Sequence, residues 1–197
     1  MKPDATTIDI YNSKANDYTN LSKDADQDIR LENFAKTLPA KARVLDYGCG
    51  PGTSAAYFAD QGMVTHAFDA SKEMVKLTSR HPLVKVWQAG FHEFNEVDTY
   101  DGVWASFSLL HAPRSDIEGL LVAIHKSLKV GGKFCLSVKL GKGEARDTLG
   151  RLYTYYEHKE LERLLRATKF TWENHFNGSG KGLDGTISKW ISVFAHA

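Results

Sequence analysis

The sequence predicts an α/β fold: a seven-stranded, mostly parallel sheet with an antiparallel C-terminal strand, helices on both faces and two N-terminal helices. Three observations carry this expectation. Between residues 42 and 140, short apolar runs alternate with stretches of helical period, the pattern of parallel strands joined by crossover helices. The first run breaks into a glycine-rich turn that opens directly into a helix. The last two runs are joined by Asn177-Gly178-Ser179-Gly180-Lys181-Gly182, long enough for a hairpin and too short for a crossover helix, so they must pair antiparallel.

The elements follow in order. Ile8, Tyr11, Ala15 and Tyr18 recur at helical spacing, and Leu31, Phe34 and Leu38 form a second run that stops before Pro39. Strands are expected at 42–47, 63–68, 83–89, 100–106, 134–140, 171–176 and 186–195. Helices are expected at 53–61, closed by Gly62, and from a Ser71 cap through residue 80. A further helix, capped by Ser115 or Asp116 and stopped by Gly131-Gly132, precedes the fifth strand, and another spans about 157–168.

A chain of 197 residues can bury enough apolar surface to fold as one domain without disulfides or metal. Hydrophobic residues at 42% and charged residues at 25% are the balance of an ordinary globular protein. The 25 basic and 24 acidic side chains nearly cancel, so no global field favours nucleic acid, which is not an expected partner. Polar sequence follows Met1, and no run reaches membrane-spanning length, which makes the cytoplasm the expected location and a membrane no partner. Cys49 and Cys135 lack partners at metal spacing and read as free thiols; no metal site is expected, and the chain is expected to be a monomer or homodimer.

The chemistry gathers at the end of the first strand. Gly48-Cys49-Gly50-Pro51-Gly52 places bare backbone at the carboxyl edge of the sheet, where a ligand can approach because no Cβ intervenes. At the end of the second strand, Asp69 stands where a carboxylate can accept hydrogen bonds from both hydroxyls of an adenosine ribose; its alternative is a helix cap for the segment beginning at Ser71. A dinucleotide fingerprint wants a third glycine at position 53, where this chain has Thr53, and no Gly-Lys-Ser/Thr of a P-loop is present. A nucleoside cofactor remains.

Val44-Leu45-Asp46-Tyr47-Gly48-Cys49-Gly50-Pro51-Gly52 resembles the first motif of the class I S-adenosylmethionine-dependent methyltransferases. The resemblance continues through Asp69-Ala70-Ser71-Lys72-Glu73-Met74, Tyr100-Asp101-Gly102-Val103-Trp104-Ala105-Ser106 and Leu128-Lys129-Val130-Gly131-Gly132-Lys133-Phe134, covering roughly residues 40 to 140. It implies a Rossmann-like fold and S-adenosylmethionine as cofactor. It also implies cofactor contacts from the backbone of Gly48, Cys49 and Gly50, from Asp46 to the ammonium, from Asp69 and Ala70 at the ribose, and from Met74 packed on adenine. Where many relatives place an acidic residue after strand three, this chain reads Ala89-Gly90-Phe91, so the backbone of Gly90 or Phe91 inherits that contact; Ser106 closes the set. Tyr11 and Tyr18 resemble the tyrosine-rich opening helix that folds over the cofactor in small relatives, with ordinary core packing as the alternative. On this reading residues 1–39 are a helical cap, 40–140 the cofactor-binding core and 141–197 an acceptor-side segment with the C-terminal strands.

Methyl transfer from a sulfonium needs an aligned nucleophile and a site that excludes water. His111, after the fourth strand, stands where a general base would face the methyl group; the alternative is a loop histidine bonded to backbone. The charged stretch from Lys139 to Tyr156 is expected to be an acceptor lid, with Arg146 and Arg151 as donors for a carboxylate or phosphate, Lys139 and Arg114 beside them, and Tyr153 and Tyr156 as an aromatic wall. A solvated loop is its alternative. The expected activity is methyl transfer to a small polar or anionic molecule. Its rivals are a protein or RNA acceptor, a non-catalytic S-adenosylmethionine or S-adenosylhomocysteine binding module, and a nicotinamide-dependent oxidoreductase.

Overall fold

The computed structural model describes residues 3–23 and 29–197. Alternating apolar segments generate seven strands in one sheet: β1 (Arg43–Tyr47), β2 (Val64–Asp69), β3 (Val84–Gln88), β4 (Tyr100–Ser106), β5 (Leu128–Lys139), β8 (Thr171–Lys181) and β9 (Ile187–His196). Between β5 and β8 lie two short strands of a separate ribbon, β6 (Glu144–Arg146) and β7 (Leu152–Thr154). The large sheet has the order β3-β2-β1-β4-β5-β9-β8, parallel from β3 to β5, with β9 antiparallel to both of its neighbours. This is a Rossmann-like sheet. The chain reverses its winding at β1, which pairs β2 on one side and β4 on the other, and ligands bind at such a switch point beyond the carboxyl ends of the strands.

Seven helices accompany the sheet among the described residues: α1 (Ala5–Ser13), α2 (Ala15–Lys23), α3 (Ile29–Lys36), α4 (Thr53–Asp60), α5 (Lys72–Thr78), α6 (Ile117–Ser127) and α7 (His158–Ala167). The period-two alternation of the strands divides the core. Val44, Trp104, Cys135 and Phe194 face Leu31 and Phe34 of α3 and Phe58 of α4. Their neighbours Leu45, Val103, Phe134, Leu136 and Val193 face Leu121 and Ile124 of α6 and Leu161 and Leu165 of α7. Both cysteines are buried thiols. No helix among the described residues is long and apolar enough to cross a membrane.

Several boundaries differ from the sequence expectation. The first N-terminal run divides at Lys14, whose backbone leaves the helical region, into α1 and α2. Gly131-Gly132 does not stop α6. Leu128 is already extended and pairs with Tyr100, and the two glycines lie where the register slips before Lys133 meets Gly102. Burial of Leu128 ends the helix early, and the glycines serve as the bulge. The glycine-rich hairpin connection is mostly strand: Gly178 pairs with Trp190, and a Cβ on Gly178 would fall 2.3 Å from the Trp190 ring, so the indole lies where only glycine leaves room.

The expected lid is an ordered ribbon. β6 and β7 pair antiparallel, and the turn between them is closed by Asp147, whose Oδ1 accepts the Arg151 and Leu149 backbone N–H groups. Its Oδ2 accepts Arg151 Nε at 2.9 Å and Nη2 at 2.6 Å, with the two side chains 4% and 1% exposed. Removing one partner of a buried pair leaves the other charge without solvent or counterion. Arg151→Met is therefore expected to lower the unfolding free energy by about 3–5 kcal/mol in urea denaturation, and Asp147→Leu in the same chain to restore part of it. An unchanged midpoint in the single variant would remove the ion pair from the account of the ribbon's stability.

Candidate active site

β1 delivers the chain to Gly48, whose φ of +73° belongs to the left-handed region. A Cβ there would meet Ser108 Cβ at 2.5 Å, because the turn after β4 folds directly over the loop. Asp69, at the end of β2, closes the loop's far side by accepting two backbone donors, one from the loop and one from the turn after β2. Gly50 N–H donates to Asp69 Oδ2 at 2.9 Å, and Ser71 N–H donates to Asp69 Oδ1 at 2.8 Å. The cap of α5 is Ser71, which accepts from Met74 N–H, so Asp69 does not hold that position. A carboxylate has about four acceptor sites, and Asp69 keeps the remainder for the cavity it lines.

Asp46, on β1, is 3% exposed, and its Oδ2 is buried without a hydrogen-bond partner. Burial raises its pKa from an ordinary 3.8 to about 7; the Ala55 backbone N–H at the start of α4 opposes the shift and the charge of Asp69 adds to it. Burial likewise raises Asp69, against the pull of the Ser71 and Gly50 N–H groups, and holds the Cys49 thiol well above its usual range.

These groups line a cavity of about 220 Å³. Its cofactor-side walls include Tyr18, Ala70, Met74 and Phe91, with Phe91 stacked on Tyr47 at 5.2 Å and the Tyr18 ring 3.6 Å from where a Gly50 Cβ would stand. α1 forms the roof and is anchored at several points. Asn12 Oδ1 accepts from Ser71 Oγ and from Glu73 N–H at the first turn of α5, and Thr7 Oγ1 accepts from Leu152 N–H in β7.

Tyr11 ties the same roof to the acceptor side. Its hydroxyl lies 2.8 Å from His111 Nε2 and accepts Arg151 Nη1 at 2.8 Å. His111 Nδ1 lies 2.6 Å from the Leu152 carbonyl, which can only accept, so the proton sits on Nδ1 and Nε2 accepts from Tyr11. Burial lowers the imidazole pKa to about 4, with the charges of Arg151 and Lys139 adding to the shift and the Leu152 hydrogen bond opposing it. His111 is thus neutral and lines the cavity with both nitrogens engaged, one of them with backbone as the alternative reading of this residue anticipated.

Of the residues anticipated from sequence, Tyr11, Tyr18, Asp46, Gly48, Cys49, Gly50, Asp69, Ala70, Met74, Phe91, Ser106 and His111 meet around this one cavity. Gly90 stands outside the lining and donates its N–H to Glu93 Oε2. The acceptor-side group is also outside, because its charges have protein partners. Arg146 pairs with Asp4 at 2.7 Å, Arg151 with Asp147, and Arg114 with Glu160 and the Tyr155 carbonyl. Lys139 Nζ lies 3.9 Å from the Tyr153 ring centroid, while Tyr153 and Tyr156 are buried in the core. Ser108, absent from the sequence expectation, is 6% exposed, and its Oγ has no partner. The residue before it, Phe107, has φ +55°, a left-handed turn no pattern announces. Arg30 was missed as well: its Nη1 donates to Ser192 Oγ at 2.7 Å, and its guanidinium lies 4.8 Å from the Trp190 ring centroid.

A profile of the methyltransferase domain matches residues 20–178. A ubiquinone biosynthesis O-methyltransferase of Xanthomonas axonopodis pv. citri is 34% identical over 117 residues, 55% of this chain and 48% of that protein. A sarcosine/dimethylglycine N-methyltransferase of Halorhodospira halochloris is 29% identical over 74% of this chain and 58% of its own length. The chain spans about half the length of the first of these. The fold superposes on Burkholderia thailandensis 1,6-didemethyltoxoflavin-N1-methyltransferase, solved with S-adenosylhomocysteine, with a TM-score of 0.77 and 25% identity over 98% of this chain and 87% of that one. The chain belongs to the class I S-adenosylmethionine-dependent methyltransferase family.

The buried carboxylates of this site have a measurable signature. Because the folded-state pKa of Asp46 lies above its unfolded value, the folded chain holds the extra proton between about pH 4 and 7, and the group's contribution to stability falls as pH rises through that window. Asp69 has the same sign. Ligand-free Asp46→Asn is therefore expected to melt above the parent chain at about pH 8, with the difference shrinking toward about pH 5. A difference independent of pH in a thermal melt would contradict the burial of a titrating Asp46.

Proposed function

We propose that this chain transfers a methyl group from S-adenosylmethionine to a small molecule. The observation that carries the reading is the unpartnered, buried Asp46 Oδ2 beside the bare backbone of Gly48 and Gly50 in a cavity that Asp69 also lines. An orphaned carboxylate oxygen out of water is costly to the fold and fits a cationic ligand. The donor set matches the cofactor piece by piece. Asp46 would take the ammonium, Asp69 the two ribose hydroxyls with its remaining lone pairs, and Ala70, Met74 and Phe91 an apolar slot for the adenine. When bound, the cofactor supplies a methyl group on a sulfonium.

The chain's own work is positioning and the exclusion of water. Tyr18 on Gly50 and α1 across the cavity cover the ligand, and the Asn12 and Tyr11 anchors keep that cover in register with both walls. A roof fixed to the second-strand edge and to the acceptor side favours a small acceptor over a polymer. The names of the relatives, an O-methyltransferase of ubiquinone biosynthesis, a sarcosine/dimethylglycine N-methyltransferase and a 1,6-didemethyltoxoflavin-N1-methyltransferase, agree with that size class.

S-adenosylmethionine and S-adenosylhomocysteine are expected to raise the melting temperature, and NAD to leave it unchanged. Asp69→Ala should weaken S-adenosylhomocysteine binding by about 1.5–3 kcal/mol in calorimetry, the range for hydrogen bonds to a charged group. Stabilisation by NAD alone would replace the methyltransferase reading with that of a nicotinamide enzyme.

A further inference from the structure

The half of the cavity beyond the glycine loop differs in chemistry from the cofactor half. Its walls include Ile8 and Tyr11 of α1 and, after β4, Phe107, Ala112, Pro113 and Leu120, apolar and aromatic surface of the kind that holds a flat ring, interrupted by Thr7, Ser108, His111 and Asp116. Among the described residues, the Asp, Glu, Lys and Arg side chains that line the whole cavity are aspartates, Asp4, Asp46, Asp69 and Asp116, with no lysine or arginine. Arg146 and Arg151 lie near this half but pair with Asp4 and Asp147, and Arg30 is bound to the Ser137 and Ser192 hydroxyls. A carboxylate or phosphate entering here would shed water and meet negative charge without a forked donor to replace it.

Proton chemistry limits the acceptor further. An alcohol or phenol must lose its proton as its oxygen is methylated, which calls for a base with an accessible lone pair. His111 Nε2 is covered by the Tyr11 hydroxyl, that hydroxyl is covered by Arg151, and His111 Nδ1 is covered by the Leu152 carbonyl. Of the two carboxylates on this side, Asp4 is held by Thr7 and Arg146 and Asp116 accepts from Ser115 Oγ; among the described residues the buried polar atom of this half that has no partner is Ser108 Oγ, above Gly48 where the two halves of the cavity meet. A lone hydroxyl orients a ligand by donating or accepting one hydrogen bond; it does not carry a proton away.

Resting on the methyltransferase reading, we propose that the acceptor is a small, uncharged ring compound whose nucleophile is a nitrogen lone pair, oriented by Ser108 against the aromatic wall of Tyr11 and Phe107. The nitrogen lone pair forms the new N–CH3 bond as the S–CH3 bond breaks. The bonding pair stays on sulfur, giving the neutral thioether S-adenosylhomocysteine, and the positive charge passes to nitrogen. A ring nitrogen leaves as the methylated cation; an acceptor bearing N–H releases that proton to water after the transfer.

The test uses the full chain and matched probes of two sizes: pyridine and isoquinoline for nitrogen, phenol and 2-naphthol for oxygen, benzoate and 2-naphthoate for the anion. On the S-adenosylhomocysteine complex, calorimetry or ligand-observed NMR should show a nitrogen probe binding about ten-fold or more tightly than the carboxylate of the same size, and Ser108→Ala should reduce that preference. With S-adenosylmethionine at neutral pH, N-methylation should exceed O-methylation of the matched hydroxyl by on the order of 10²-fold, the value of a missing base. Its rate should follow only the probe's own deprotonation, without a histidine limb. Equal or tighter carboxylate binding, O-methylation matching N-methylation, or S-adenosylhomocysteine binding with no nitrogen probe methylated would overturn the acceptor assignment and leave the cofactor reading standing. Failure of S-adenosylhomocysteine to bind would remove both.

Discussion

The guanidinium of Arg151 lies out of water between Asp147 and the Tyr11 hydroxyl, and the shape of the cavity follows from where it is held. Its bond to Asp147 closes the β6–β7 turn, and its bond to Tyr11 reaches α1, 140 residues earlier in the chain. Tyr11 then donates to His111, which donates to Leu152 in β7, so the chain of contacts returns to the ribbon that Arg151 begins. A buried charge whose Nε, Nη1 and Nη2 all donate is costly to disturb, and so fixes an arrangement more than it adds to net stability. Here the fixed arrangement is a roof over the carboxyl edge of the sheet.

Under that roof the two halves of the cavity have opposite electrostatic needs. One half concentrates the buried carboxylates Asp46 and Asp69, whose pKa values burial raises. The other half engages His111 and Tyr11 with one another, leaves Ser108 Oγ without a partner and presents rings and aliphatic carbon. On the proposed reading a cationic ligand completes the first half, and the second selects by shape and by what a nucleophile can do without help, so that binding and selectivity are divided between the two sides of Gly48 and Ser108.

Local features of the sequence show much of this and long-range pairings do not. The continuously buried runs of β1 and β4, the Gly48 to Gly52 loop and Asp69 are local patterns with local physical causes, and the structure brings the loop and Asp69 to one cavity at the ends of these strands. His111 reads either as a base or as a loop histidine bonded to backbone because its ring is visible in the sequence while the hydroxyl that meets it lies 100 residues away. Arg146 and Arg151 read as donors for an acceptor, with a solvated loop as the alternative, because nothing local states that a turn will bury Arg151 with Asp147. Gly131-Gly132 has the form of a helix stop, and only pairing of Leu128 with β4 turns it into a bulge. Ser108 gives no signal at all, since its place depends on the left-handed turn at Phe107.

The far edge of the sheet has a consequence of its own. β8 ends the order of strands, and an uncovered edge of 11 residues offers its backbone to any other extended chain. This edge is a poor template. Its register slips between Trp172 and Asn174, where Glu173 is held by Lys133 and His196, and its second half carries two glycines, one overlain by the Trp190 indole. Bulge, charge and glycine each break the flat, regular ladder that templated stacking requires, so the terminal hairpin that completes the fold also discourages strand-by-strand growth into aggregates.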